Sequence, residues 1–147
     1  MKEIILMVGI PASGKSTFAN LYFANSHSIL SLDNLKTRYQ EKQRINQAIA
    51  LNENIVIDNT NVSISDRVQY MLLAKKHNYK VKCYFFIPNV EESLIRNKNP
   101  DRTELPRVAI LDKLKKFQRP RFAEGFDEIH QVEAINNKFN ITIWDRR

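Results

Sequence analysis

The chain alternates between short apolar runs and longer segments in which apolar residues recur every three or four positions. A short apolar run bounded by turn residues is typical of a buried strand, and the longer period is typical of a helix with one buried face. The predicted strands are residues 3–8, 28–33, 54–58, 80–87, 128–133 and 139–144. The predicted helices are one directly after residue 16, two pieces within 34–52, then about 65–77, 89–97 and one from Pro106. Strands that alternate with helices predict an α/β fold, a three-layer α/β/α domain around a mostly parallel sheet.

Three of the predicted helical segments have apolar residues that can face the sheet. These are Phe18, Leu21 and Tyr22; then Ile45, Ala48, Ile49 and Leu51; and finally Ile110, Leu111, Leu114 and Phe117. Ser63 and Asp66 have the spacing of a capping box, so a helix should begin near Ser65. Residues 97–105 have turn chemistry and almost no apolar side chain, which predicts a mobile lid.

Residues 9–16 read Gly-Ile-Pro-Ala-Ser-Gly-Lys-Ser and match the pattern G-x-x-x-x-G-K-[ST] at every position. They follow a predicted strand and lead into a predicted helix, the context in which this pattern binds phosphate. Gly9 and Gly14 let backbone N–H groups surround phosphate oxygens, and the helix points its positive end at them. Lys15 can reach the β- and γ-phosphates, while the Ser16 hydroxyl can coordinate Mg²⁺. The sequence thus predicts a site for ATP and Mg²⁺, lined by Gly9, Ala12, Ser13, Gly14, Lys15, Ser16 and Thr17.

Two predicted strands end in an aspartate, Asp33 and Asp58. Ligands of parallel sheets bind beyond the carboxyl ends of the strands, so both acids should lie near the glycine loop. Asp33 is the candidate general base, because a carboxylate there can accept the proton of an attacking hydroxyl. Its alternative role is to cap the following helix. Asp58 can hold Mg²⁺ or orient the acceptor, and a plain turn after the strand is the alternative.

Arg96, Lys98 and Arg102 lie in or beside the predicted lid. Cations there can fold over a triphosphate, exclude water and stabilise the charge that develops during transfer. A solvated loop is the alternative interpretation. The candidate catalytic residues are therefore Lys15, Asp33, Arg96 and Arg102.

Size and composition favour one domain, residues 1–147, with its own core and without metal or disulfide bridges. The single cysteine, Cys83, lies in an apolar run and is expected to pack in the core. We find no signal-peptide pattern and no apolar run close to the roughly 20 residues that cross a bilayer. We therefore expect a cytoplasmic protein without membrane contact. The oligomeric state stays open.

The net charge of +7 is unevenly placed along the chain. Residues 75–121 contain thirteen Lys or Arg and five Asp or Glu, so this segment carries all of the excess. Such a surface attracts polyanions, which can be a triphosphate, a nucleic acid or both. A basic surface that is merely solvated is the alternative.

Several segments together resemble polynucleotide 5′-hydroxyl kinases. They are residues 9–18, Asp33, Val-Ile-Asp-Asn-Thr-Asn at 56–61, Arg96-Asn97, and Phe-Gln-Arg-Pro-Arg-Phe-Ala-Glu-Gly-Phe at 117–126. The last segment is similar to the kinase domain of polynucleotide kinase 3′-phosphatase. The glycine loop is common to many kinases, whereas 58–61 combined with 123–126 is considerably more specific.

The resemblance implies a P-loop kinase-like fold and transfer of the γ-phosphate of ATP to the 5′-hydroxyl of DNA or RNA. It implies that Lys15 and Ser16 bind phosphate and metal, that Asp33 is the general base, and that arginines of the lid cover ATP. Members of the family often have an arginine a few residues after the base, and here either Lys36 or Arg38 can serve. The implied acceptor-binding residues are Asp33, Lys36, Arg38, Asp58 and Asn61, and the implied metal ligands are Ser16 and Asp58. No Asp-x-Asp motif of a phosphatase is present.

A polynucleotide 5′-kinase with ATP and 5′-hydroxyl ends as partners is the leading hypothesis. One alternative is a P-loop kinase of a small metabolite, such as a nucleoside, a sugar or a nucleotide sugar. An open basic groove would favour a strand, and a closed pocket would favour a small molecule. Another alternative is an ATP-binding switch protein, which has less need of a base at Asp33.

Overall fold

A six-stranded sheet forms the centre of the computed structural model, which describes residues 2–100, 104–136 and 138–146 and, for Asp33 and Asn34, the backbone alone. The strands are β1 (Glu3–Val8), β2 (Ser28–Leu30), β3 (Ile55–Ile57), β4 (Lys80–Phe86), β5 (Glu128–Ile135) and β6 (Lys138–Ile143). Their order across the sheet is β2-β3-β1-β4-β5-β6. Neighbours from β2 to β5 are parallel, and β6 returns antiparallel to β5. The mostly parallel sheet predicted from the alternation is confirmed.

Helices connect the parallel strands. They are α1 (Lys15–Phe23), α2 (Leu32–Leu35), α3 (Arg38–Ala50), α4 (Ile64–His77), α5 (Val90–Asn97) and α6 (Arg107–Lys116). The predicted capping box is confirmed, because Ser63 Oγ accepts from Asp66 N at 3.1 Å and the Asp66 carboxylate accepts from Ser63 N at 3.4 Å. α4 therefore begins at Ile64, one residue before the predicted start. Across the described ranges, none of these helices has the length and apolarity needed to cross a membrane.

The core lies on both faces of the sheet. On β1, Ile4, Leu6 and Val8 belong to a cluster that includes residues of α3 and α4, whereas Ile5 and Met7 pack with residues of α1. A parallel strand that is buried on both faces needs helices on both sides. The predicted three-layer α/β/α arrangement is thus confirmed.

Cys83 on β4 is fully buried in this core, as predicted from its apolar neighbours. Burial raises the pKa of its thiol, so the reactive thiolate is disfavoured. A packing role explains this cysteine.

The second strand is shorter than predicted. β2 ends at Leu30, and the backbone of Asp33 lies in α2 instead of at the end of a strand. The chain turns at this point because Leu35 N donates to Ser31 O at 2.9 Å. The turn directly follows β2, so Asp33 stays at the carboxyl edge of the sheet.

Four apolar residues predicted to face the core are exposed instead: Leu21, Tyr22, Leu51 and Leu111. The residues of α1 that are buried are Phe18, Ala19 and Phe23. Tyr22 packs its ring on Phe18, with centroids 4.4 Å apart, but stays in contact with solvent. Leu51 is the C-cap of α3, one residue past its last helical position. Apolar spacing alone allowed two faces of α1, and only packing against the sheet selects one.

Candidate active site

The glycine loop joins the end of β1 to the start of α1. Gly9 N donates to Thr60 O, in the loop after β3, at 2.9 Å. A Cβ at Gly9 would lie 3.0 Å from Ser13 Oγ and 3.1 Å from Phe86 Cβ, so a larger residue would displace the loop. Gly14 has a φ of +98°, a left-handed conformation that L side chains rarely adopt. Both glycines are therefore required by the shape of the loop.

The glycine loop leads directly into the N-terminus of α1. Its N-cap is Gly14, and within the described chain no side chain caps the first turn. The N–H groups of the first turn, including those of Ser16 and Thr17, lack helical partners and can bind a ligand. Ala12, with a φ of +60°, helps to curl the preceding backbone. The helix dipole also favours an anion here, so the loop has the properties of a phosphate site.

Lys15 is buried against its own loop. Its ammonium group donates to Ile10 O at 2.8 Å, to Gly9 O at 3.1 Å and to Ser13 Oγ at 3.4 Å. These uncharged acceptors hold the positive charge of the Lys15 ammonium group beside the backbone amides of the loop. Phosphate oxygens, which are charged acceptors, would make stronger hydrogen bonds to the same group.

Ser16 and Asp58 meet across two adjacent strands. Because β1 and β3 are parallel, with Leu6 opposite Ile57, the residues that follow them lie side by side. Ser16 Oγ donates to Asp58 Oδ2 at 2.7 Å, and Asp58 is largely buried. Mg²⁺ prefers such oxygen ligands and takes its other ligands from water and substrate phosphates. These two oxygens next to a phosphate loop therefore fit Mg²⁺.

A metal ion can also be held by protein side chains alone. In the parts of the chain that the structure describes, no group of three or more His, Cys, Asp or Glu side chains could hold a metal ion. A metal at Ser16 and Asp58 would therefore depend on phosphate and water for the rest of its coordination.

Arg96 lies against the start of α1. It belongs to the last turn of α5, and a Cβ at Gly14 would be only 2.6 Å from Arg96 Nη1. A guanidinium at this place can approach phosphate oxygens bound by the loop. Arg102, the other arginine predicted for the lid, lies outside the described residues.

Asn97 joins the two ends of the predicted lid. Its side chain is buried, donates to Leu105 O at 2.8 Å and accepts from Leu105 N at 2.9 Å. Both polar groups of the Leu105 backbone are thereby satisfied. The start of the segment after α5 and its return toward α6 are held side by side.

Lys36 and Arg38, the two alternatives for the cation that follows Asp33, differ in their surroundings. Lys36 is exposed and has a φ of +67° in the turn between α2 and α3. Arg38 begins α3, and its Nη1 donates to Tyr70 Oη at 3.1 Å and Glu41 Oε1 at 3.3 Å. Its side chain is nevertheless 58% exposed, so it can also reach a ligand. Arg38 is anchored and accessible.

Sequence reasoning missed the group that anchors Arg38. Glu41 is buried and accepts from Asn59 Nδ2 at 2.7 Å and from Tyr70 Oη at 2.8 Å. Burial, followed by the neighbouring Glu41 carboxylate, raises the pKa of Tyr70, so its hydroxyl remains a donor. The missed signal was the position of Glu41 on the same helical face as Ile45, since a charge on a buried face needs partners.

Asn61 was predicted to bind the acceptor, but its side chain is part of the framework. It is 3% exposed and donates to Met7 O at 2.9 Å. This hydrogen bond ties the loop after β3 to the end of β1. In the structure, this amide therefore supports the loop, and its predicted role in binding an acceptor stays a prediction.

A second buried cation supports the same loop. Arg67 on α4 is fully buried, and its Nη1 donates to Asn61 O at 2.9 Å and Val62 O at 3.2 Å. Its Nε and Nη2 form a bidentate pair with Glu124, at 2.8 and 3.0 Å. Gln118 N also donates to Val62 O at 2.7 Å. Residues 117–126 therefore brace the loop after β3.

Replacing Glu124 with alanine is expected to lower the free energy of unfolding by about 3–5 kcal/mol, because the Arg67 charge stays buried without its partner. Urea denaturation followed by circular dichroism measures this loss. Combining Glu124→Ala with Arg67→Met removes both charges and should restore part of the stability. Arg107→Ala, at an exposed position on α6, is the control. Equal urea midpoints for Glu124→Ala and Arg107→Ala would contradict the bracing role.

Comparison with known proteins finds a matching family model and several similar proteins. The model of the AAA_33 family, described as an AAA domain, matches residues 4–120. A bifunctional polynucleotide phosphatase/kinase of Schizosaccharomyces pombe is 30% identical over 138 residues, covering 89% of this chain and 33% of that protein. The chain spans about a third of the length of the curated relatives it matches. The resemblance to polynucleotide kinases is confirmed.

Solved structures share the fold at low identity. A gluconokinase from Sinorhizobium meliloti 1021 superposes with a TM-score of 0.62 at 15% identity, covering 89% of this chain and 82% of that chain. Kti12 of Chaetomium thermophilum, solved in complex with ADP-AlF3, has a TM-score of 0.65 at 16% identity, covering 88% of each chain. The predicted P-loop kinase-like fold is confirmed.

Proposed function

Since the chain belongs to the AAA_33 family of AAA domains, we propose that it is an ATP-dependent kinase that phosphorylates the 5′-hydroxyl ends of DNA or RNA. One observation carries the proposal. Ser16 Oγ in the phosphate loop donates to Asp58 Oδ2 at 2.7 Å, and the next residue, Asn59, accepts from Leu32 N, the first residue of the short helix that carries Asp33. Donor and acceptor groups would thus meet at one edge of the sheet.

On the donor side, the loop amides and Lys15 would bind the β- and γ-phosphates. Mg²⁺, held by Ser16 and Asp58, would neutralise charge on the phosphate oxygens when bound. Arg96, which lies against Gly14, would approach the same phosphates. Arg102 is assigned to the same task from the sequence resemblance.

On the acceptor side, Asp33 would take the proton of the attacking hydroxyl. The hydroxyl oxygen bonds to the γ-phosphorus while the bond from that phosphorus to the bridging oxygen breaks, and ADP leaves. The proton passes from the hydroxyl to the Asp33 carboxylate. In-line transfer of this kind needs positioning and charge stabilisation more than covalent catalysis.

A polynucleotide is favoured as acceptor by Arg38 and by the basic charge of residues 75–121. An anchored, accessible guanidinium is suited to a phosphate of the acceptor strand, because it can bind two oxygens at once. The name of the Schizosaccharomyces pombe relative supports the same class of acceptor. We further propose that residues 1–147 act as one kinase domain, in the cytoplasm, in the repair of nucleic-acid ends.

A panel of acceptors tests this function. The protein is incubated with γ-labelled ATP and Mg²⁺, together with DNA and RNA strands that end in a 5′-hydroxyl, nucleosides, sugars and a nucleotide sugar. We expect label on the 5′ ends of the strands and none on strands that already carry a 5′-phosphate. Label only in a small molecule would replace the proposal by a metabolite kinase. ATP binding without transfer to any acceptor would indicate a switch protein.

A further inference from the structure

Asn59 uses both ends of its side-chain amide. Its Oδ1 accepts from Leu32 N, the first residue of α2, at 2.9 Å. Its Nδ2 donates to Glu41 Oε2 at 2.7 Å and to Tyr70 Oη at 3.3 Å. Only this orientation of the amide suits both neighbours, because a backbone N–H cannot accept and a carboxylate cannot donate. Asn59 therefore connects the end of β3 to α2, α3 and α4.

Glu41 receives hydrogen bonds from three side chains. They are Asn59, Tyr70 and Arg38, and the carboxylate itself is only 3% exposed. Among the described residues, Arg38 provides the positive charge that compensates this buried acid. A buried charge without such partners would be strongly unfavourable. The same carboxylate thus orients the amide of Asn59 and the guanidinium of Arg38.

The turn that carries Asp33 has little stability of its own. α2 has four residues, and a helix this short does not form without tertiary contacts. It is followed by Lys36 in the left-handed region, and then Thr37 caps α3 by accepting from Gln40 N at 3.1 Å. The side-chain contact at the first N–H of α2 is the one made by Asn59.

We propose that Asn59 and Glu41 are positioning residues that set the backbone of the Asp33 turn and the guanidinium of Arg38 as one unit. The inference rests on the proposed function for its kinetic consequences, but the geometry that it predicts can be measured without any acceptor. Neither residue would touch the transferred phosphate. Their effect reaches the reaction only through Asp33 and Arg38.

An exchange of chemical groups between the two positions tests the proposal. Asn59→Asp can still accept from Leu32 N but faces Glu41 with a second carboxylate, and we expect kcat to fall by about 100-fold through misplacement of α2. Glu41→Gln removes the charged partner of Arg38 and should raise KM for the strand by about tenfold. The double variant again opposes a carboxylate with an amide, and it should recover most of the kcat lost in Asn59→Asp. If the loss of kcat in Asn59→Asp came from altered packing alone, the double variant would not recover it.

Controls separate positioning from loss of folding or of nucleotide binding. ATP affinity, measured with a fluorescent analogue, should match the parent in all three variants. Asn140→Asp, an exposed asparagine on β6 at the far edge of the sheet, should leave kcat and KM unchanged. If Asn59→Asp does not fold, Tyr70→Phe takes its place, because it removes one donor to Glu41 without adding charge. That variant should raise KM for the strand while ATP affinity stays constant.

Amide hydrogen exchange gives a readout that does not depend on activity. The Leu32 N–H should be protected in the parent and should exchange faster in Asn59→Ala, while amides of β1 keep their protection. Suppose that the parent transfers no phosphate to 5′-hydroxyl strands while the Leu32 N–H still loses protection in Asn59→Ala. That result would contradict the proposed kinase function and would support the positioning role of Asn59. Unchanged protection of Leu32, or a double variant no more active than Asn59→Asp, would overturn the proposal.

Discussion

Asp33→Asn should lower kcat for transfer to a 5′-hydroxyl by about 10²- to 10⁴-fold, the range expected when a general base is lost. The asparagine amide has nearly the same shape as the carboxylate but cannot take up the hydroxyl proton. ATP affinity should stay close to that of the parent, because residue 33 lies in α2, outside the glycine loop. Single-turnover transfer measures the first effect, and titration with a fluorescent ATP analogue measures the second.

A matched variant controls for the change from acid to amide. Asp112 on α6 forms an exposed pair with Lys116 at 2.9 Å, and such surface pairs contribute little. Asp112→Asn should therefore transfer phosphate at the rate of the parent. If Asp33→Asn also transferred phosphate at the rate of the parent, Asp33 would not be the general base. The assignment of the glycine loop as the phosphate site would not be affected.

Lys15→Ala should lower kcat/KM for ATP by about 10²- to 10³-fold, comparable to the loss of a charge-stabilising donor in an active site. In the structure the ammonium group sits among carbonyl and hydroxyl oxygens of the loop, next to the amides that would bind phosphate. Alanine removes the charge that phosphate oxygens would attract. Steady-state transfer at varied ATP concentration measures the effect.

The control for Lys15 is a lysine at the opposite end of the sheet. Lys80 is exposed at the start of β4, so Lys80→Ala removes one positive charge without touching the loop. Thermal unfolding of both variants shows whether the loop still folds without the hydrogen bonds of Lys15. If a folded Lys15→Ala protein kept the kcat/KM of the parent, the triphosphate would have to bind elsewhere.

The alternation of apolar runs and helical periods predicted the sheet, its strands and the helices between them. Burial is the physical reason, since strands covered on both faces must be almost wholly apolar, as Ile4 to Val8 are. The same pattern predicted the wrong exposure for Leu21 and Leu51. Where a helix offers two apolar faces, the neighbouring layer decides which one is buried.

The sequence predicted the surroundings of some polar residues of the site better than those of others. Asp58 is next to Ser16 because adjacent parallel strands end at the same edge, a rule that can be applied without coordinates. Asn61 belongs to the same short segment, yet its amide is turned inward to Met7 O. Alternate residues after a strand can point either way, so spacing could not separate a ligand from a support.

By itself, the sequence predicted the phosphate loop, because the glycine pattern and its strand-loop-helix context lie within one short segment of the chain. It determined the α/β layering as well, since burial periods are local. Only the tertiary structure decided how the turn that carries Asp33 and the loop after β3 are held. Glu41 meets Asn59 across 18 positions, and Arg67 meets Glu124 across 57. Partners so far apart leave no local pattern, because each charge is stabilised by a neighbour that folding alone brings into contact.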